Sequence, residues 1–239
     1  MDISVFGSWA RPHCWSKTLV NISQAAQRVS YEVVVAGPNK PTFTLPPNVT
    51  FIHIDPDRGA AYCAQIAERH CSGETVMLMG DDCRYSQNAL DNAYATFKRE
   101  NDYKCMVYFR WGTGPKNDVT DIHPYLFETP DPNVRYGFAL WSKRFFDEVG
   151  GYDRRFTFGP HEAEMILRAY RRGGRHVYAY DAFFSEDLSI QGTTYNGTFY
   201  IKNGYIEVQN LLWKRWYSNG EQYGGTLLKE PTTPFEPII

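Results

Sequence analysis

Thr75-Val76-Met77-Leu78-Met79-Gly80-Asp81-Asp82 joins a short apolar run directly to a glycine and two adjacent acids. A continuous apolar run of this length is typical of a strand that is covered on both faces, as in a parallel sheet. The two carboxylates follow at once, so burial of the strand would leave them at the edge of the sheet. This stretch therefore predicts a buried strand with charged groups at its end.

Similar apolar runs alternate with segments of helical periodicity on both sides of this stretch. The runs predict strands at residues 3–6, 31–36, 49–54, 75–79, 105–109 and 176–180. The periodic segments predict helices at residues 15–29, 59–70, 86–98, 145–149, 162–172 and 205–216, with Ser86 as an N-cap. Strands and helices that alternate at this spacing form βαβ units. We expect an α/β fold with a mostly parallel central sheet flanked by helices.

Composition and charge exclude several classes of partner. The formal net charge is −2, so there is no electrostatic basis for binding nucleic acid or an anionic membrane. The opening sequence MDISVFGSWA is neither a signal peptide nor a membrane span. The five cysteines lack the spacing of a metal site and indicate reduced thiols. We expect a soluble, cytoplasmic protein.

Asp81 and Asp82 are the first candidates for a functional site. In parallel sheets, ligands bind beyond the carboxyl ends of the strands, so the loops after residues 6, 36 and 79 should share one edge. Carboxylate oxygens at that edge suit Mg²⁺ or Mn²⁺ bridging to a diphosphate. Aspartate is also common in ordinary solvated turns. The pair alone leaves both interpretations open.

Glu162 and Glu164 are the second candidates, in the first turn of a predicted helix. Acids at this position interact favourably with the helix dipole, which accounts for them without any function. Alternatively, one of them is a general base that takes the proton of an attacking hydroxyl. The residue types do not choose between these interpretations.

In their order along the chain, these motifs resemble those of the GT-A glycosyltransferases, in particular the large inverting glycosyltransferase family 2. The loop after the family's first strand ends like Arg11-Pro12, and its fourth strand ends like Met79-Gly80-Asp81-Asp82. The family's later motifs G-G-F-D and E-D correspond to Gly150-Gly151-Tyr152-Asp153 and His161-Glu162, with Arg168 further on. The similarity extends over about residues 1–185.

The resemblance implies the GT-A (nucleotide-diphospho-sugar transferase) fold and a metal-dependent glycosyltransferase. Such an enzyme moves a sugar from a nucleotide-diphosphate sugar, by default a UDP-sugar, to a hydroxyl of a glycan or another acceptor, with inversion. Asp82 matches the position that binds Mn²⁺ or Mg²⁺, and Glu162 matches the catalytic base. The residues expected to bind the donor are Gly7, Ser8, Arg11, Gly37, Asp55, Arg58 and Asp81.

The chain departs from the family pattern at several positions. Gly80 stands where many members have an acid, and no histidine follows residue 180 to complete the metal site. Glu186 or Asp187 is expected to replace that histidine. The second strand also ends without the usual aspartates, which leaves recognition of the nucleobase open, and Asp55, Asp57 and Arg58 after the third strand are candidates to share it.

We expect residues 1–187 to form one catalytic domain, with a nucleotide-binding half (about 1–110) and an acceptor half (111–187). Residues 188–239 should add a helix and a tail that pack on the same domain. The polar, proline-rich segment 112–135 is expected to shape the acceptor site. Lys214 and Arg215 either close over the diphosphate or lie on a solvated helix face.

Two other functions compete with this interpretation. A sugar-phosphate nucleotidyltransferase shares a similar sheet and uses Mg²⁺, but it should carry a glycine-rich, basic loop after the first strand. The sequence from Gly7 to Pro12 is a poor version of that loop. A catalytically degenerate nucleotide- or sugar-binding module is the second alternative, because of Gly80 and the absent histidine. Pyrophosphate release would identify the first, and nucleotide binding without transfer the second.

Overall fold

The computed structural model describes residues 1–55, 58–113, 138–157, 161–186, 205–220 and 228–239. Its strands are β1 (Ile3–Ser8), β2 (Tyr31–Gly37), β3 (Val49–His53), β4 (Thr75–Leu78), β5 (Cys83–Tyr85), β6 (Cys105–Thr113), β7 (Ala139–Ser142) and β8 (Arg175–Glu186). Its helices are α1 (Pro12–Ala25), α2 (Ala60–Arg69), α3 (Ala89–Glu100), α4 (Lys143–Val149), α5 (His161–Arg171) and α6 (Tyr205–Trp216). No helix within these ranges is both long enough and apolar enough to cross a membrane.

The described strands form one sheet in the order β3-β2-β1-β4-β7-β6-β8-β5. The pairs β3–β2, β2–β1, β1–β4 and β6–β8 are parallel, whereas β7 is antiparallel to both β4 and β6, and β5 to β8. Because β7 is antiparallel to both of its neighbours, β4 and β6, the strands β6 and β8 run in the same direction as β1 and β4. The carboxyl ends of these four strands therefore share one edge. The predicted α/β fold with helices around a mostly parallel sheet is confirmed.

Two apolar layers cover the faces of the sheet. Successive residues of β2 point to opposite layers, with Val34 in one and Val33 and Val35 in the other. The first layer contains the buried faces of α2, α4, α5 and α6, and the second contains those of α1 and α3. Coverage on both faces explains why the strands are continuous apolar runs. All five cysteines lie buried in the described residues as thiols.

The segment after β4 differs from the prediction. Ser86 does not cap a helix, because its N–H donates to the carbonyl of Phe183 and its Oγ accepts from the N–H of Phe183. The helix begins three residues later, after Asn88, which has a left-handed backbone with φ of 60°. Residues 83–85, for which the sequence predicts neither a helix nor a strand, form β5 beside β8. The predicted N-cap is wrong because these residues pair with a distant strand.

Gly7 and Gly37, both predicted to bind the donor, stand where two backbone segments come into contact. A Cβ on Gly7 would collide with the carbonyl oxygen of Met79, and one on Gly37 would lie 2.5 Å from the carbonyl oxygen of Trp9. These glycines therefore let the loops after β1, β2 and β4 pack together at the carboxyl edge. Close packing alone accounts for both residues.

Gly37→Ala is expected to lower the free energy of unfolding by about 1–3 kcal/mol, because the added methyl group must push the Trp9 backbone aside. Trp9 is fully buried, so its loop has little room to move. Equilibrium urea denaturation with an unchanged m-value measures the loss. An unchanged midpoint would mean that this loop yields at no cost.

Candidate active site

Asp81 and Asp82 follow β4 at its carboxyl end. The next strand, β5, pairs antiparallel with β8, which places Cys83 opposite Glu186. Thr113, the last residue of β6, is also opposite Glu186. The ends of β6 and β8 therefore lie beside the two acids. The backbone of Glu186 thus lies near Asp82, whereas the alternative residue, Asp187, lies outside the described residues.

Arg11, in the loop after β1, binds both acids. Its Nε donates to both carboxylate oxygens of Asp81 at 3.0 Å, and its backbone N–H donates to Asp81 Oδ2 at 3.1 Å. Its Nη2 donates to Asp81 Oδ1 and to Asp82 Oδ2, the latter at 2.9 Å. The side chain of Asp81 is 5% exposed and that of Asp82 18% exposed. Asp81 is thus a buried anchor for this loop, and Asp82 is the more accessible acid.

Burial affects the pKa values of both Asp81 and Arg11. Burial raises the pKa of Asp81, and the guanidinium of Arg11 opposes that effect. Burial acts to lower the pKa of Arg11, but the hydrogen bonds and charges of both carboxylates hold it above its ordinary value. Arg11 therefore remains a cation, and with both acids ionised the three groups carry one net negative charge.

Thr18 and Arg84 hold the backbone of the acidic loop, and sequence reasoning missed both. The Thr18 hydroxyl donates to the carbonyl of Asp81 at 2.7 Å. Arg84 Nη1 donates to Thr18 Oγ1 at 2.9 Å and to the carbonyl of Cys83 at 2.7 Å. The only signal in the sequence is that Arg84 closely follows two acids. These contacts hold the backbone on both sides of Asp82.

Glu162 lies at the same edge of the sheet. The carbonyl of Thr157 accepts from the N–H of Ala61 at 3.1 Å, where α2 begins after β3. The start of α5, four residues after Thr157, is thereby held near the carboxyl ends of the strands. The Glu162 side chain is 38% exposed, and its Oε1 lies 3.7 Å from Nε2 of the buried His161. Glu162 thus presents an accessible carboxylate at the positive end of a helix.

Glu164 has different surroundings, although it lies only two residues further on. Its side chain is fully buried, and Arg168 Nε donates to both of its oxygens at 3.0 and 2.9 Å. Arg215 Nε lies 3.4 Å from its Oε1. An acceptor hydroxyl cannot reach a carboxylate enclosed in this way. Of the two glutamates considered as a general base, only Glu162 is accessible.

Arg215 is part of the same buried cluster and does not cover a diphosphate site. Its side chain is 0% exposed, and Nη1 donates to Asp153 Oδ2 and to the carbonyl of Pro234, each at 3.0 Å. The interpretation in which Lys214 and Arg215 close over the donor is therefore wrong for Arg215. Lys214 is exposed on α6.

The remaining predicted donor residues divide into two groups along the edge. Gly7, Ser8 and Arg11 form the end of β1 and the loop that meets Asp81 and Asp82. A second group follows β3, which lies two strands from β1 in the sheet order. It contains the exposed residues Asp55 and Arg58, and the Arg58 guanidinium lies 4.0 Å from the centre of the Tyr62 ring. Asp57 lies outside the described residues.

Arg58 also lines a cleft of about 380 Å³. The cleft lies between the start of α2 and the segment that precedes α5, and its other lining residues are Ala61, Tyr62, Arg154, Thr157, Pro237, Ile238 and Ile239.

Sequence reasoning also missed Trp9, which is fully buried and stacks on Trp15 with ring centres 5.2 Å apart. These rings pack the loop after β1 against α1.

The side-chain oxygens at this edge determine whether a divalent cation could bind there. Among the described residues, no three His, Cys, Asp or Glu side chains are grouped as a metal site. Mg²⁺ commonly binds one or two carboxylates and completes its shell with water and substrate phosphates. The Asp82 carboxylate at the sheet edge fits a cation that binds together with a diphosphate.

The architecture is the GT-A fold. It is similar to the crystal structure of S. aureus TarS 1–349, with a TM-score of 0.64 and 12% sequence identity over 89% of this chain and 64% of that one. The structure of GalNAc-T7 with UDP, GalNAc and Mn²⁺ gives 0.63 and 14% over 92% and 49%. The mannosyltransferase PcManGT from Pyrobaculum calidifontis, in complex with GDP-Man and Mn²⁺, gives 0.60 and 20% over 80% and 58%.

These similarities are similarities of fold. The chain spans less than two thirds of the length of each of these three structures. No protein-family model and no curated protein matches the sequence.

Proposed function

We propose that this chain is a metal-dependent glycosyltransferase that moves a sugar from a nucleotide-diphosphate sugar to a hydroxyl of an acceptor glycan, with inversion. One observation carries the proposal. At one edge of a GT-A sheet, Asp82 and Glu162 present accessible carboxylates, while their close neighbours Asp81 and Glu164 are buried against arginines. The accessible pair matches the positions of the metal ligand and the base in the resemblance.

On the donor side, Asp82 is proposed to bind Mn²⁺ or Mg²⁺ together with the donor diphosphate. The cation would neutralise the charge that develops on the departing nucleoside diphosphate. The presence of Mn²⁺ with UDP and GalNAc in the GalNAc-T7 structure, and with GDP-Man in the PcManGT structure, supports this choice of cofactor and donor class. The loop of Gly7 and Ser8, and Asp55 and Arg58 after β3, are proposed to hold the nucleotide, by default UDP.

On the acceptor side, Glu162 is proposed to take the proton of the attacking hydroxyl. The hydroxyl oxygen forms its bond to the anomeric carbon as the bond from that carbon to the phosphate oxygen breaks. Attack from the face opposite the diphosphate inverts the configuration. A carboxylate within hydrogen-bond reach of the hydroxyl makes that oxygen a better nucleophile in the transition state.

We propose that successive segments of the chain have different roles. Residues 1–110 would bind the nucleotide, residues 111–187 the acceptor, and residues 188–239 would complete the same domain. Contacts of the tail support the last point, because Arg155 donates to the carbonyl of Pro234 and Arg154 pairs with Glu236. The segment 112–135, proposed to shape the acceptor site, lies mostly outside the described residues.

Asp82→Asn is expected to remove the Mn²⁺-dependent part of nucleotide binding, because the amide oxygen carries no net charge for the cation. Mn²⁺ should strengthen UDP or GDP binding to the wild type, seen as a higher thermal midpoint. In the variant, affinity for the nucleotide with Mn²⁺ should fall about tenfold, or about 1.4 kcal/mol. Thermal-shift titrations of nucleotides with and without Mn²⁺ measure this effect.

Asp181→Asn is the matched control, since Asp181 is an exposed acid in β8. It should retain the full effect of Mn²⁺. An equally large Mn²⁺ effect in Asp82→Asn would place the metal elsewhere and contradict the proposed site. Analysis of the products separates the alternatives, because a nucleotidyltransferase releases pyrophosphate and a degenerate module binds nucleotide without transfer.

A further inference from the structure

Nη2 of Arg11 contacts Asp82, and several donors of Arg11 contact Asp81. Nε and the backbone N–H of Arg11 both bind Asp81. Nη2 is shared, because it donates to Asp81 Oδ1 and to Asp82 Oδ2. Loss of the contact to Asp82 would therefore leave the contacts of Nε and the backbone N–H with Asp81 in place.

A divalent cation at Asp82 would meet the guanidinium that already binds this carboxylate. The cation and the guanidinium both carry positive charge. Repulsion between them is weakly screened, because the side chains of Arg11 and Asp82 are only 10% and 18% exposed. The two cations therefore compete for the oxygens of Asp82. The anchoring on Asp81 lets Arg11 yield this position without leaving the site.

We infer that Arg11 is an exchangeable counter-ion of Asp82, which releases this carboxylate when the metal binds and then donates through Nη2 to the diphosphate of the donor. The inference rests on the proposed function and adds a role for Arg11 within it. A guanidinium suits both partners, because its planar fork binds carboxylates and phosphates in the same way. Bound metal and bound diphosphate would each favour the released state.

Arg11→Lys separates this exchange from a simple charge effect. Lysine keeps the positive charge near Asp81, but one ammonium nitrogen cannot reproduce the fork that reaches both acids. Mn²⁺ affinity without nucleotide, measured by isothermal titration calorimetry, is expected to rise about tenfold, the value of one charge-assisted hydrogen bond. UDP affinity at saturating Mn²⁺ is expected to fall by a similar factor, because the contact to the diphosphate is lost.

These opposite changes distinguish exchange from a structural role, which would weaken both affinities or neither. Arg28→Lys is the matched control, because Arg28 pairs with Asp91 at 3.6 Å and contacts neither strand-end acid. Both affinities should be unchanged in that variant. If Arg11→Lys fails to fold, ¹⁵N NMR of the arginine side chains in the wild type provides the test. Mg²⁺ should then shift the Nη signals of Arg11 and leave those of Arg28 unchanged.

Each outcome has a definite meaning. Unchanged Mn²⁺ affinity in Arg11→Lys, or Arg11 signals that do not respond to Mg²⁺, would overturn the exchange. If the wild type still transferred sugar with Mn²⁺, the proposed function would stand without it. A wild type that binds no Mn²⁺ would overturn both the exchange and the metal-dependent function.

Discussion

Glu162→Gln is expected to lower the rate of sugar transfer by about 10²- to 10⁴-fold, the usual contribution of a positioned general base. The glutamine amide has nearly the same shape as the carboxylate but cannot accept the proton of a hydroxyl. Glu162 is 38% exposed, so the fold should tolerate this nearly isosteric change. The measurement is kcat at saturating donor, together with the Kd of the nucleotide in the presence of Mn²⁺.

The expected pattern is loss of kcat with unchanged nucleotide affinity, because Glu162 acts on the acceptor. Glu164→Gln is the informative control, because Glu164 lies on the same helix but is buried against Arg168. It should lose stability, with nucleotide affinity and turnover retained in the fraction that remains folded. Turnover by Glu162→Gln close to that of the wild type would remove Glu162 as the base.

Strands β1, β2 and β4 could be predicted from the sequence because each is an apolar run that is largely buried on both faces of the sheet. β2 and β4 lie within one residue of the predicted limits. β5 could not be predicted, because a run of three residues has no period, and Cys83–Tyr85 becomes a strand only by pairing with β8. The position of β7 between β4 and β6 likewise depends on pairing with strands that are distant in the sequence. Partner choice in a sheet depends on contacts between distant segments, and local pattern does not specify it.

The placement of the candidate site was also predictable, since strand ends and helix starts in βαβ units define one edge of the sheet. What the sequence does not specify is the difference between the members of each acidic pair. Asp81 is buried because Arg11, 70 residues earlier, reaches it. Glu164 is buried against Arg168 of its own helix and beside Arg215 of α6. The accessibility of each carboxylate, on which its chemistry depends, is therefore set in part by arginines that are distant in the sequence.

The second of these arginines belongs to a cluster of buried charges that joins α6 to α5. Arg215 and Arg168 face Glu164 and Asp153, and all four side chains are at most 6% exposed. Burial raises the pKa of Glu164, while the charge and hydrogen bonds of Arg168 lower it. Removal of Arg215 would leave Glu164 paired with Arg168 and Asp153 paired with Arg155, but it would take one positive charge from this buried cluster.

Arg215→Met is therefore expected to lower the free energy of unfolding by about 1.5–3 kcal/mol, the usual contribution of a hydrogen bond to a charged group. Methionine fills much of the volume, but Asp153 and Glu164 lose a partner within a dry interior. Equilibrium denaturation measures the loss, with Lys214→Met as the control, because Lys214 is the exposed neighbour on the same helix and should change stability by less than about 0.5 kcal/mol. Unchanged stability of Arg215→Met with weaker binding of the nucleotide diphosphate would instead support a contact between Arg215 and the donor.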